Sequence, residues 1–138
     1  MEKFKFIDSI TSDVLYEAYG KDLKELFENS AAALSSVICK IDQIEPAKQI
    51  DIALKGEDLD ELMINWLQYL IAIVDTEEMF LSKFEIKEIN ETSLKAVAYG
   101  ESITPEKGET VVKAVTYYKF KLEQDKKGAF KVTVSLDI

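Results

Sequence analysis

The chain has 138 residues, 47% hydrophobic and 31% charged, which fits one domain with a core of its own and is unlike a disordered or fibrous composition. It contains no His, and all 17 basic residues are Lys; this excludes Ser-His and Cys-His catalysis, the usual zinc sets and bidentate arginine clamps. The formal net charge of −9 disfavours nucleic-acid binding through a general basic face.

Lys3 to Ile7 alternates charged and apolar residues, which predicts a half-buried strand, and the opening residues lack a signal-peptide core. Asp8 to Ser12 is polar and predicts a loop, and Val14 to Tyr19 predicts a second strand ending at Gly20. Asp22 stands as a helix N-cap with Glu25 three residues on. Leu23, Leu26, Phe27, Leu34, Val37 and Ile38 then recur at helical spacing as far as about Cys39. Cys39 is the only cysteine, so no intrachain disulfide can form, and its apolar neighbours suit a buried thiol in a reducing compartment.

After Pro46, Gln49 to Leu54 predicts a third strand with Ile50, Ile52 and Leu54 inward. Asp58 and Glu61 repeat the capping signal, and a broader apolar stripe through Leu62, Trp66, Leu70 and Ile73 predicts a second, deeper helix ending near Asp75-Thr76-Glu77. The longest apolar stretch, Trp66 to Val74, is too short to span a bilayer, so the expectation is a cytoplasmic protein.

The remainder predicts strands at Met79–Ile89, Ser93–Tyr99, Val111–Leu122 and Ala129–Ile138, with a long polar connection from Gly100 to Thr110 and a tight turn at Asp125–Gly128. The expected architecture is a single α+β domain over 1–138, two helices packed on a mainly antiparallel sheet. Two internal echoes stand out. Gly20-Lys21-Asp22-Leu23-Lys24-Glu25-Leu26 resembles Gly56-Glu57-Asp58-Leu59-Asp60-Glu61-Leu62, and Lys95-Ala96-Val97-Ala98-Tyr99 resembles Lys113-Ala114-Val115-Thr116-Tyr117. Common capping and hairpin chemistry explains them at least as readily as duplication.

Four features could carry chemistry. Asp8 and Asp13 near the start, with Asp137 and the carboxylate of Ile138 at the end, are either turn carboxylates or hard-cation ligands. Asp75-Thr76-Glu77-Glu78 opposes a helix dipole and reads first as a solubilising loop. The connection from Ser102 to Glu109 offers Lys107, with Lys113 beyond it, to a phosphate, without a glycine-rich cradle. Trp66, Tyr69, Tyr117 and Tyr118 read as core residues rather than a base-stacking platform in so acidic a chain.

The order of short motifs resembles the archease family over essentially the whole chain. These are Phe6-Ile7-Asp8, Thr11-Ser12-Asp13-Val14, Ala18-Tyr19-Gly20-Lys21, Leu26-Phe27-Glu28-Asn29, Gly56-Glu57-Asp58-Leu59, Ser82-Lys83-Phe84, Ala98-Tyr99-Gly100-Glu101, Pro105-Glu106-Lys107 and the terminal Leu136-Asp137-Ile138. The resemblance implies a compact α+β accessory protein, not itself an enzyme. Its implied partner is an RtcB-type RNA ligase that seals tRNA halves, whose guanylylation and multiple turnover it promotes. It further implies a divalent cation, calcium above all, on Asp13, Asp137 and Ile138, with RNA contact left to the ligase. Where the family commonly reads His-Thr-Ala-Asp, this chain has Ile10-Thr11-Ser12-Asp13, and Tyr118 stands where many members carry His. The alternative expectation is a chaperone-like module that binds proteins through an exposed sheet edge. A metal-dependent hydrolase is a third class, with a thin set of catalytic groups.

Overall fold

The computed structural model describes residues 2–7 and 13–138. Along the described chain run β1 (Phe4–Ile7), β2 (Asp13–Gly20), α1 (Leu23–Ile38), β3 (Lys48–Lys55), α2 (Leu59–Thr76), β4 (Met79–Ile89), β5 (Ser93–Ser102), β6 (Ala114–Gln124) and β7 (Phe130–Asp137), with short 3₁₀ turns at Ile41–Gln43 and Pro105–Lys107. The α+β expectation holds, and the strands divide into two antiparallel sheets rather than one, ordered β1-β2-β7-β6 and β3-β5-β4.

The division has a regular logic. β2, α1, β6 and β7 form a strand-helix-strand-strand unit with strand order β2-β7-β6. β3, α2, β4 and β5 form a second such unit, ordered β3-β5-β4. The second unit is inserted between α1 and β6 of the first, and β1 extends the first sheet. The echo of capping motifs therefore marks two copies of one arrangement, and it reaches further than the sequence suggests. Asp22 Oδ1 accepts the Glu25 amide at 2.9 Å, and Asp58 Oδ1 accepts the Glu61 amide at 2.8 Å. Glu25 and Glu61 each accept the amide of the residue before their cap, Lys21 and Glu57. Asn29 Nδ2 donates to the Tyr19 carbonyl at 2.7 Å, as Asn65 Nδ2 does to the Lys55 carbonyl at 2.9 Å. Each helix is thus tied back to the strand that precedes it. Glycine is required at both joins: a Cβ on Gly56 would lie 2.7 Å from the Leu62 amide nitrogen, and one on Gly20 would strike the backbone of Leu26.

The two units share one core. Leu26, Phe27 and Leu34 of α1 and Leu62, Trp66 and Leu67 of α2 are fully or almost fully buried against Tyr16, Val132, Val134 and Leu136 of the first sheet and Ile52, Ile86 and Leu94 of the second. Burying each such side chain stabilises by about 1.5–3 kcal/mol before entropy is counted. Trp66 also donates its indole Nε1–H to the Phe27 carbonyl at 3.0 Å, which pins α2 to α1. Helix side chains finish two terminal strands: Glu28 Oε2 accepts the Ile86 amide of β4 at 2.9 Å, and Gln68 Oε1 accepts the Val115 amide of β6 at 3.1 Å. Capping in this way removes free donors from edges that would otherwise pair with other chains.

Two boundaries differ from expectation. β5 runs on to Ser102, which shortens the polar connection, and β6 begins at Ala114 rather than Val111. Glu109 and Thr110 instead donate their amides to the carbonyls of Ile38 and Val37, so the chain before β6 closes the end of α1. No helix among the described residues is long and apolar enough to cross a membrane.

Candidate metal centre

The β2–β7 register decides where the candidate ligands lie. Asp13, the first residue of β2, is the direct cross-strand partner of Asp137, the last residue of β7. Opposed residues on antiparallel strands have Cβ atoms about 4.5–5.5 Å apart, so the two carboxyls share one face at one end of the sheet. On the other flank Asp137 faces Ala114 of β6, whose side chain is only a methyl. The Lys113 amide donates to the Asp137 carbonyl at 2.8 Å and fixes the backbone there. Ile138 is half-buried and packs against the core, which holds the last residue beside Asp137.

Period-2 alternation puts Leu15, Ser135 and Thr116 in the next row on the same face, where Leu15 pairs with Ser135 and Ser135 with Thr116. Ser135 is fully buried, and its Oγ and the Thr116 Oγ1 have no hydrogen-bond partner among the described residues. Neither hydroxyl was singled out from sequence, although the parity of β7 alone places Ser135 on the face of Asp137. Below this row, Tyr19 donates its hydroxyl to Glu17 Oε1 at 2.8 Å. Burial and the adjacent Glu17 carboxylate push the Tyr19 phenol up to about 12.

The electrostatics at the strand ends are unbalanced. Like charges directly opposite each other on a sheet destabilise it. Among the described residues no lysine forms an ion pair with Asp13 or Asp137. Oxygen donors with no nitrogen or sulfur suit a hard cation such as calcium or magnesium. Among the described residues no three His, Cys, Asp or Glu side chains converge, and Asp13 and Asp137 are the side-chain carboxylates that the β2–β7 register brings together. Asp8 and the rest of the 8–12 loop lie outside the described residues.

The other candidates have structural roles. Asp75 and Thr76 end α2, Glu77 caps it, and the Glu78 carbonyl, in a left-handed residue, accepts the Ile103 amide. Lys107 is half-buried in an ion pair with Glu101 at 3.1 Å, and the Glu45 amide and Lys107 together hold the Glu101 carboxyl below its usual range. It is therefore committed within the fold and unavailable to a phosphate. Cys39 is buried, and that burial pushes its thiol up, away from nucleophilic use. Of the four aromatic residues read as core, only Trp66 is buried. Tyr69, Tyr117 and Tyr118 are 40%, 70% and 46% exposed. For Tyr117 and Tyr118 the reason is a bulge: β6 pairs Thr116 with Ser135 and next pairs Lys121 with Thr133, so Tyr117–Phe120 stand opposite Val134 alone and leave the alternation.

Comparison with known proteins agrees with this architecture. The model of the Archease protein family (MTH1598/TM1083) matches residues 4–138. The chain belongs to the archease family. The archease of Sulfurisphaera tokodaii is 39% identical over the full length of both chains, and that of Pyrococcus abyssi is 38% identical over 93% of this chain and 94% of its own. Among solved structures, the solution structure of a Methanobacterium thermoautotrophicum protein superposes with a TM-score of 0.83 at 34% identity, covering both chains completely. The crystal structure of a Thermotoga maritima archease, described as a possible chaperone, gives a TM-score of 0.68 at 18% identity over 96% of this chain and 98% of its own, a likeness of fold.

Proposed function

We propose that this archease is an accessory protein of an RtcB-type RNA ligase, which it activates by promoting guanylylation and repeated turnover, without catalysing a reaction itself. Asp13, Asp137 and the carboxylate of Ile138 would hold one divalent cation, and among the hard cations that an all-oxygen set admits, calcium is the one the family resemblance implies. The observation that carries this reading is the register of Asp13 against Asp137, two uncompensated carboxylates brought together from opposite ends of the chain. When bound, such a cation supplies positive charge to phosphate oxygens. The contribution of the chain itself is to fix the ligands: Lys113 anchors the Asp137 backbone, the half-buried Ile138 holds the last residue, and Ser135 and Thr116 face the site from beneath.

The test is ligase guanylylation with the wild-type chain, Asp13→Ala and a chain lacking Asp137 and Ile138. Stimulation should fall at least tenfold with either variant. Unchanged stimulation by both would reject the metal-centred mechanism.

A second reading, a chaperone-like module, is favoured by β3, which ends its sheet and presents eight residues along a terminal edge. Under that reading suppression of aggregation would be broad and indifferent to Asp13→Ala, and would weaken when charged residues are introduced along β3.

A further inference from the structure

The negative charge of the chain is unevenly distributed. Six of the 17 lysines, Lys113, Lys119, Lys121, Lys126, Lys127 and Lys131, fall in the β6–β7 hairpin and the residue before it, where the carboxylates between the first and last of them are Glu123 and Asp125. Lys121 and Lys131 lie 3.7 and 3.8 Å from Glu123, whereas Lys113, Lys119, Lys126 and Lys127 form no ion pair among the described residues. The same hairpin carries two exposed aromatic side chains, Tyr117 and Tyr118, lifted out of β6 by the bulge. Lys119 adopts φ +55°, a left-handed backbone that a non-glycine residue holds only when its surroundings enforce it, and its ammonium lies 5.5 Å from the Tyr118 ring centroid. Phe120 packs against the core and meets Tyr117 edge-on at 6.4 Å, so one edge of Tyr117 is braced while most of its ring faces solvent.

Exposed rings on a rigid strand, interleaved with uncommitted lysines, are the elements with which proteins hold single-stranded nucleic acid. Both grounds for expecting no such contact fail for this hairpin, because the tyrosines are not core residues and the local charge is positive. We propose that the β6 bulge binds a single-stranded polynucleotide, its bases stacking on Tyr117 and Tyr118 and its phosphates meeting Lys113 and Lys119. The remaining chain is strongly acidic, so binding is confined to the hairpin and falls steeply with salt.

The test is fluorescence anisotropy of a labelled 12-nucleotide RNA of mixed sequence with the purified full chain at low and moderate salt. Wild type should bind with a salt-dependent affinity, and the Tyr117→Ala/Tyr118→Ala double variant should bind at least tenfold more weakly. Tyr117→Phe/Tyr118→Phe should retain binding, because stacking needs the ring and not the hydroxyl, and Lys113→Ala/Lys119→Ala should flatten the salt dependence. Absence of RNA binding by wild type, equal binding by the alanine variant, or equal loss in the phenylalanine variant would each overturn the proposal. If the alanine variant loses co-sedimentation with the ligase while wild type shows no RNA affinity, the tyrosines serve a protein contact and the proposal fails.

Discussion

Asp13 and Asp137 stand directly opposite each other where β2 begins and β7 ends, two carboxylates paired across a sheet with no lysine bound to either among the described residues. Such opposition costs roughly 0.2–1 kcal/mol in a sheet. In chelator, Asp13→Asn is therefore expected to be as stable as wild type or more stable by about that amount. In excess calcium the order should reverse, because the cation stabilises only a chain that binds it. Urea denaturation in the two buffers reads both signs.

The paired helix caps give a second expectation. Asp22 and Asp58 each accept the amide three residues on, and each helix also binds the strand behind it through Asn29 or Asn65. Removing a cap costs typically about 1 kcal/mol. Asp22→Ala and Asp58→Ala should lower stability by similar amounts in urea titrations. The two sites lie in different units, so the double variant should lose about the sum.

Trp66 joins the units. Replacing it with Phe leaves a cavity and removes the indole hydrogen bond to the Phe27 carbonyl, which together should cost roughly 2–4 kcal/mol. Equilibrium unfolding should show the loss as one shared transition, because Trp66 packs in a core common to both sheets.

Alkaline stability should depend on two tyrosines. Burial raises the phenols of Tyr16 and Tyr19 above their ordinary value of about 10, Tyr19 to about 12 with help from Glu17. A raised folded-state value means that the folded chain holds the proton more tightly. The associated stability is complete below pH 10 and is lost as pH climbs from about 10 toward 12 and beyond. Tyr16→Phe removes the hydroxyl bound to the Ser30 carbonyl at 3.1 Å, so it should be less stable at neutral pH yet lose less on going to high pH. Thermal melts between pH 8 and 11 measure the slope.

The sequence exposed the elements well because local chemistry and tertiary structure agree over most of the chain. Asp22 and Asp58 cap where expected, and alternation located β2, β3, β4 and β7 to within a residue or two. It hid three things, all non-local. The split into two sheets depends on which strands pair, and antiparallel pairing of β2 with β7 leaves no mark in either strand alone. The β6 bulge breaks the alternation that would otherwise bury Tyr117, and no glycine signals it because the left-handed residue is Lys119. Within the candidate centre, the carboxylates at the two ends are visible in the sequence, and likeness to a family is what separates Asp13, Asp137 and Ile138 from Asp8. Strand parity in β7 already places Ser135 on the face of Asp137, whereas Thr116 joins it only through the β6–β7 register.

One cation site formed by the ends of β2 and β7 should be directly measurable. Calorimetric titration of calcium into the metal-free protein tests it most directly, with wild type, Asp13→Asn and a chain lacking Asp137 and Ile138 compared at equal ionic strength. One calcium should bind per wild-type chain, with an affinity at least tenfold weaker in both variants. Calcium binding that is unaltered by either change, or absent from the wild-type chain, would contradict it.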